Sequence, residues 1–253
     1  MVVVDAVQGS VPRETGAWMA VFGNTVVGTI GGGHVEYQAI AVARERLKGA
    51  TGEPVLRYAL GPGLGQCCGG VMHLRFEPVS AADSRDVTTR LGLIQQQNGQ
   101  KVALFGGGHV GRALIRLLGA LPFTVTWVDS RDEIFPDDVP PNVQCEHSDP
   151  VHRAVANLLP QTHVLIMSFS HAEDLDVVAA CLQRQRVQAD LPYIGLIGSQ
   201  TKWATFRHRL AERGFSDVEL AQVTSPIGVP GVRGKEPDVI AVAVAAQLLQ
   251  RRG

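Results

Sequence analysis

The sequence lacks the features that would place the chain in a membrane, outside the cell or on a nucleic acid. Its longest apolar run, 239–249, is interrupted by Gln247 and is shorter than the roughly 20 residues of a membrane-spanning helix. A net charge of −1 excludes an overall positive potential of the kind that attracts nucleic acid. No charged segment followed by an apolar one opens the sequence. We therefore expect a cytoplasmic protein with no membrane and no nucleic-acid partner.

Cysteine is also scarce, and its four positions exclude a zinc knuckle because no Cys-x-x-Cys spacing occurs. In a reducing compartment we expect free thiols. Cys145 and Cys181 stand far from any glycine cluster and are predicted to be ordinary core or surface residues. Cys67 and Cys68 are flanked by glycines in the segment 65–70, which would let thiols and backbone N–H groups reach a ligand together. The alternative is that both are buried as small apolar side chains.

The hydrophobic pattern predicts two domains in a chain of 253 residues with 28 glycines. Residues 1–80 combine short strands with one helix, which indicates an α+β domain. Residues 81–98 are polar and predict a helical linker. Residues 99–253 alternate strands and helices, which predicts a Rossmann-like, doubly wound parallel sheet and an α/β fold class. Because the chain opens directly on a strand, we also expect a natural N-terminal segment to be missing.

Regular patterns place the individual elements along the chain. Predicted strands are 2–7, 18–22, 25–30, 71–76, 102–105, 124–128, 143–146, 163–167 and 193–197. Predicted helices are 35–47, one along an apolar stripe from Val110 to Leu121, 202–213 and 237–250.

A glycine pattern, Gly106-x-Gly108-x-x-Gly111, follows a predicted strand and opens a helix. Such glycines allow a tight turn and bring phosphate close to the N–H groups of the helix start. Asp129 ends the next strand, where dinucleotide folds bind a ribose hydroxyl, although nearby Arg131 could meet a phosphate instead. The alternative is a turn kept for packing. The candidate nucleotide-binding residues are Gly106, Gly108, His109, Gly111 and Asp129.

Two further segments contain candidate functional residues. Gly31, Gly32 and Gly33 precede the first helix, so their N–H groups could bind an anion, and a plain strand-to-helix turn is the alternative. His171 follows a strand at the edge where α/β folds place ligands and could do acid–base or metal work. A helix start with acidic first-turn residues explains this segment equally well.

Six short motifs occur in a set order along the chain. They are 9–13, 28–33, 65–70, 106–111, 193–199 and 225–228. In this order they resemble the xanthine dehydrogenase accessory protein (XdhC/CoxI) family over almost the whole chain. The resemblance implies a cytoplasmic chaperone, not an enzyme. It would bind molybdenum cofactor (molybdopterin), protect it while its terminal sulfido ligand is installed, and insert it into xanthine dehydrogenase. It also implies a cysteine desulfurase as partner and a homodimer.

The resemblance also implies roles for particular residues. Gln66, Cys67 and Cys68 would form the cofactor-handling loop, with one cysteine contacting molybdenum or its sulfido ligand. Gly31, Gly32 and Gly33 would form a second wall. Gly106, Gly108, His109, Gly111 and Asp129 would belong to the Rossmann-like domain. One departure is His34, where the wider family often has cysteine.

Two other functions are compatible with the residues. One is an NAD(P)-dependent oxidoreductase that uses the Gly106 turn, Asp129 and His171. The other is a nucleotide-responsive redox regulator.

Overall fold

A computed structural model describes residues 1–60, 69–80 and 99–251 of the chain. The chain divides into two compact units, Met1–Leu91 and Gly92–Gly253. The predicted linker 81–98 and the predicted site residues Gln66, Cys67 and Cys68 lie outside the described residues.

The N-terminal unit is an antiparallel sheet covered by one long helix. Its elements are β1 (Val2–Gln8), β2 (Trp18–Val21), β3 (Val26–Gly28), α1 (Gly33–Leu47), β4 (Val55–Ala59) and β5 (Val71–Phe76). The strand order is β3-β2-β1-β5-β4. Met72, Leu74 and Phe76 alternate along β5 and are buried, while Val35 and Ala39 bring one side of α1 onto the same core. The apolar residues of β5 recur every two residues and those of α1 about every 3.6, so each element has one apolar face, and these faces pack in the same layer.

Strand β4 was not predicted from the sequence. It is an edge strand that pairs with β5 from Val55↔Arg75 to Ala59↔Val71. Leu56 and Tyr58 pack on the core although both are only partly buried. Its hydrophobic alternation is therefore weak, and pairing with β5 decides its conformation.

The C-terminal unit alternates strands and helices. Its elements are β6 (Gln100–Phe105), α2 (His109–Gly119), β7 (Phe123–Asp129), β8 (Val143–His147), β9 (His163–Ile166), α3 (His171–Gln188), β10 (Tyr193–Leu196), α4 (Gln200–Glu212), α5 (Asp217–Leu220), β11 (Val223–Thr224) and α6 (Pro237–Gln250). Two 3-10 turns, Asp132–Ile134 and Val151–Asn157, lie in the connections.

These strands form a parallel sheet in the order β11-β10-β9-β6-β7-β8. The chain runs from β6 outward through β7 to β8, and from β9 outward in the opposite direction through β10 to β11. The strand order therefore reverses between the neighbours β6 and β9. In open α/β sheets a reversal of this kind leaves a crevice at the carboxyl ends of the strands. The sheet confirms the predicted fold class, a mixed α+β domain followed by a Rossmann-like one.

Apolar side chains cover both faces of the parallel sheet. Along β6, Ala103 and Phe105 face a core built with α3 and α4, whereas Val102 and Leu104 face a core built with α2 and α6. Parallel strands covered on both faces need such continuous apolar runs. Among the helices of the described residues, none is both long and apolar enough to cross a membrane.

A buried histidine lies at the opposite, amino-terminal edge of this sheet. His163 is 7% exposed, and its Nε2 lies 2.8 Å from the side-chain amide of Gln100. The rings of His163 and Tyr193 are 6.1 Å apart. Burial, and to a lesser degree the charge of Arg251, lower the pKa of His163 below its ordinary value.

We therefore expect acid to destabilise the C-terminal unit through His163. The unfolded chain takes up the proton near its ordinary pKa of about 6.5, and the folded chain takes it up only at lower pH. The free energy of unfolding should fall as the pH drops below about 6.5. Denaturant unfolding at pH 7.5 and 5.5 should show a smaller pH-dependent loss for His163→Gln than for wild type. His208→Gln, at a side chain that is 78% exposed, should keep the wild-type dependence.

Candidate functional site

Three glycine-containing loops meet at one edge of the N-terminal sheet, and we call them the N-terminal loop cluster: 9–13, 31–33 and 69–70. A Cβ atom on Gly70 would lie 2.4 Å from the carbonyl oxygen of Ser10. A Cβ atom on Gly31 would lie 2.6 Å from Cβ of Pro12. Both distances are too short for a side chain, so the glycines allow the loops to touch.

The predicted cysteine loop connects β4 to β5 at this cluster. The N–H of Leu60 donates to the carbonyl of Gly70 at 2.8 Å, which holds the two described ends of the connection together. Gln66, Cys67 and Cys68 belong to this connection but lie outside the described residues. The chain returns from the cysteines at Gly69 and Gly70, beside the loop of Ser10.

The glycines before α1 already have partners within the chain. The N–H of Gly32 donates to the Glu36 carboxylate at 3.0 Å, and the N–H of Gly31 donates to Thr29 Oγ1 at 3.0 Å. Partial burial by itself would raise the pKa of Glu36, but hydrogen bonds, led by that of Thr29, outweigh it and hold the pKa below its ordinary value. A negative charge therefore occupies this helix start and disfavours an incoming anion. The role of Gly31, Gly32 and Gly33 as a cofactor wall stays a prediction.

The predicted glycine turn lies where the strand order of the C-terminal sheet reverses, and we call this place the C-terminal crevice. Gly106 has φ of +122°, and a Cβ there would lie 2.0 Å from the carbonyl oxygen of Met167. A Cβ on Gly111 would lie 2.2 Å from the carbonyl oxygen of Gly106. Trp127 Nε1 donates to that same carbonyl at 3.0 Å. The turn is therefore closely packed against the end of β9, the start of α2 and the side chain of Trp127 on β7.

Gly108 and His109 lie on the open side of this turn. Both are exposed, and Gly108 is the N-cap residue of α2 without a side-chain hydrogen bond to the helix start. No described atom lies within 4 Å of a Cβ built on Gly108. The backbone N–H groups of the first turn of α2 thus face a region where the described protein supplies no cap.

Asp129, the predicted ribose ligand, is buried at the end of β7 and is bound by the protein itself. The N–H of Gly107 donates to Oδ2 at 2.6 Å. Arg131 donates through its backbone N–H and Nε to Oδ1 and through Nη2 to Oδ2. Burial by itself would raise the pKa of Asp129, but the hydrogen bonds from Arg131 and Gly107 outweigh it and lower the pKa. The carboxylate is therefore ionised and fully engaged.

Sequence reasoning missed the contacts that extend from Asp129 towards β9. The guanidinium carbon of Arg131 lies 4.3 Å from the ring centre of Phe169, which is 66% exposed. Ser130 Oγ donates to Glu173 at 2.7 Å, and Glu173 also accepts from the N–H of Phe169 at 3.1 Å. The exposed phenylalanine after a buried strand was the available signal, because binding residues are disproportionately found on loops that a rigid scaffold positions.

A second charged pair was also missed, beside the end of β9. Lys202 Nζ donates to Asp174 at 2.6 Å and to the carbonyl of Ile197 at 2.9 Å. Asp174 also accepts from the N–H of Ser168 at 2.7 Å. His171, the predicted acid–base group, begins α3 and lies edge-on to Phe206, with ring centres 6.3 Å apart. Within 1–60, 69–80 and 99–251, no group of three His, Cys, Asp or Glu side chains could hold a metal.

The six-stranded parallel sheet with its glycine turn at the reversal point defines the C-terminal unit as a Rossmann-like domain. The profile of the XdhC Rossmann domain matches residues 102–248. The profile of the XdhC and CoxI family matches residues 1–59. The chain therefore belongs to the XdhC and CoxI family, as its motifs indicated.

Individual proteins resemble the chain at lower identity. An uncharacterised Escherichia coli K12 protein, YqeB, is 27% identical over 257 residues, which cover 98% of this chain and 42% of that protein. The chain thus spans less than half the length of this curated relative. A crystal structure described as a xanthine dehydrogenase from Bacillus halodurans is 20% identical, with a TM-score of 0.69 over 98% of this chain and 90% of that one. This likeness shows a shared fold.

The two glycines of the turn should respond differently to an added methyl group. Gly106→Ala should destabilise the C-terminal unit by at least about 2 kcal/mol, because the new Cβ meets a backbone carbonyl at positive φ. Gly108→Ala should cost no more than about 1 kcal/mol, because its side chain enters open space. Thermal or urea unfolding of both variants measures this difference. Equal losses would contradict the assigned packing.

The two described cysteines should react poorly with thiol reagents. Burial raises the pKa of Cys181 to about 12, and partial burial also raises the pKa of Cys145. In a Cys67→Ala/Cys68→Ala variant, Ellman's reagent at pH 8 should leave Cys181 unlabelled until denaturant is added. Cys145 should label more slowly than a free peptide thiol. Rapid labelling of Cys181 in the folded protein would contradict its burial.

Proposed function

We propose that this protein is an accessory protein, not a catalyst, that binds molybdenum cofactor, protects it during sulfuration and inserts it into xanthine dehydrogenase. Membership of the XdhC and CoxI family supports a role in maturation of xanthine dehydrogenase. The observation that carries the finer proposal is the N-terminal loop cluster. The connection that contains Cys67 and Cys68 returns to the sheet at Gly70, against Ser10 and one loop away from Gly31.

The chemistry of the cargo suits the sequence of the connection that returns to this cluster. The cofactor is a phosphorylated pterin whose dithiolene sulfurs hold molybdenum, so its host needs soft or hydrogen-bonding groups near the metal and donors near the phosphate. Cysteine sulfur suits a soft metal site, and in this proposal Cys67 or Cys68 contacts molybdenum or its sulfido ligand. Gln66 supplies a hydrogen-bonding side chain in the same segment.

The phosphate would be bound away from the start of α1. Glu36 occupies the N–H groups of Ile30 and Gly32, so a phosphate there would meet a carboxylate. Arg13 follows Pro12 in the loop that contacts Gly31, and its side chain is 39% exposed. Arg13 Nε lies 3.6 Å from the carboxylate of Glu14, a side chain that is 77% exposed. Arg13 is thus the described cation of the cluster that best suits a phosphate.

The proposal also names partners and a setting. A cysteine desulfurase would donate the sulfur, and xanthine dehydrogenase would receive the sulfurated cofactor. The protein would act in the cytoplasm as a homodimer. The cofactor would be carried rather than used, so the chain needs a binding site that also releases its cargo.

Loss of both loop cysteines should abolish cofactor handling without unfolding the protein. Molybdenum cofactor bound at equilibrium, measured by fluorescence of the oxidised pterin, should fall at least about tenfold in Cys67→Ala/Cys68→Ala. Activation of cofactor-free xanthine dehydrogenase should fall in parallel. The matched control is Cys145→Ala/Cys181→Ala, which removes two thiols outside the loop and should retain both activities.

The same experiment can refute the proposal. If the Cys67→Ala/Cys68→Ala variant retains full pterin binding and full activation of the target enzyme, neither cysteine handles the cofactor. If wild type binds NAD but no pterin, the oxidoreductase alternative is favoured instead.

A further inference from the structure

The glycines of the turn after β6 have different reasons to lack a side chain. Gly106 needs positive φ and room beside Met167, and Gly111 needs room beside the carbonyl of Gly106. Gly108 has φ of −69°, which any residue adopts, and no described atom lies within 4 Å of its built Cβ. Neither conformation nor packing within the described chain accounts for Gly108. A glycine at this position leaves space in front of the α2 start.

Apart from the Asp129 carboxylate at Gly107, the described residues place no side-chain cap at the α2 start. An N-cap serine precedes each of α3, α4 and α5 and accepts a backbone N–H, whereas α2, like α6, has no side-chain cap. The first turn of α2 also has no acidic residue. The backbone N of Ser168, two residues after β9, lies beside Gly106, and the buried hydroxyl oxygen of Ser168 has no hydrogen-bond partner among the described residues. Buried hydroxyl groups without partners are rare in folded proteins. A phosphate would satisfy the positive helix start.

The carboxylate of Asp129 has no free acceptor position for ribose hydroxyl groups. A carboxylate offers about four acceptor positions. On Asp129, Oδ1 accepts from the backbone N–H and Nε of Arg131, both at 2.9 Å. Oδ2 accepts from the N–H of Gly107 at 2.6 Å and from Nη2 of Arg131 at 3.0 Å. A ligand with free hydroxyl groups on its adenosine ribose would have to displace Arg131.

Arg131 is arranged to meet a phosphate instead. Of the five N–H donors of a guanidinium, Nε and one N–H of Nη2 bind Asp129, which leaves three. The side chain is 27% exposed and lies over the ring of Phe169. The carboxylates of Glu173 and Glu133 also act on the charge of Arg131, and Glu173 is held in place by Ser130 Oγ and the N–H of Phe169. A planar cation oriented by a buried carboxylate suits the geometry of a phosphate.

We propose that the C-terminal crevice binds an adenine nucleotide whose ribose carries a 2′-phosphate, with Arg131 as the residue that selects this phosphate. In dinucleotide folds the ribose next to the adenine lies at the end of the second strand, which is the position of Asp129 and Arg131, and the 5′-phosphates lie at the glycine turn. Here the α2 start and Gly108 bind the 5′-phosphates. This site is independent of the proposed handling of molybdenum cofactor.

Calorimetric titration of the full chain with matched ligand pairs tests the proposal. The pairs are adenosine 2′,5′-bisphosphate against adenosine 5′-monophosphate, and NADPH against NADH. The 2′-phosphorylated member of each pair should bind at least about tenfold more tightly. Arg131→Ala should reduce this preference to within about threefold, because the remaining contacts do not distinguish the two ligands.

Controls separate selection by Arg131 from a general loss of charge or fold. Arg213→Ala removes an exposed guanidinium that pairs with Asp176 elsewhere in the same unit, and it should keep the full preference. Arg131→Gln removes the charge but keeps a donor for Asp129, so it replaces Arg131→Ala if thermal unfolding shows that the alanine variant is not folded. It too should lose the preference.

Three results would overturn the proposal. They are equal affinity for the two members of each pair, absence of binding by all four ligands at millimolar concentration, and an unchanged preference in the folded Arg131 variants. Failure here would leave pterin binding by the Cys67 and Cys68 loop unaffected, because the two experiments use different ligands and different variants.

Discussion

The buried carboxylate of Asp129 determines the geometry of the C-terminal crevice. It is 1% exposed and joins the glycine turn, through Gly107, to the loop after β7, through Arg131. Without this acceptor, the N–H of Gly107 would be buried and unpaired, which costs more than a hydrogen bond gains. Arg131 would also lose the carboxylate that orients it. The turn, the loop and the orientation of Arg131 over Phe169 therefore depend on one side chain.

The chain contains two glycine-rich helix starts, and they differ in the charges that lie beside them. At α1 the carboxylate of Glu36 accepts the N–H groups of Ile30 and Gly32, so the helix start already holds a negative charge. At α2 the Asp129 carboxylate accepts the N–H of Gly107, but Arg131 pairs with that carboxylate, the first turn of the helix has no acidic residue, and Gly108 leaves space in front of it. The same sequence feature thus favours an anion in one unit and disfavours it in the other. This contrast is why we place thiol chemistry in the N-terminal unit and nucleotide phosphate in the C-terminal unit.

Elements with strong hydrophobic periodicity were predicted closely from the sequence. Strand β5 and helix α6 have the predicted bounds, because each buries a regular set of apolar side chains. Edge strand β4 was missed, since its stability comes from pairing with β5. The packed glycines of the turn were identified as a motif, but their separate roles depend on atoms from distant segments, such as the carbonyl of Met167. The roles of Cys67 and Cys68 stay predictions.

By itself the sequence determined the fold class, the family and the positions of the glycine turn and the cysteine pair. These follow from short-range patterns, in which residue type and spacing encode period, turn and motif. Only the tertiary structure decided that Asp129 is saturated, that Arg131 retains free donors and that Glu36 covers the start of α1. The reason is physical: apolar periodicity is a local property, whereas the partner of a polar group is chosen by packing between segments far apart in the chain.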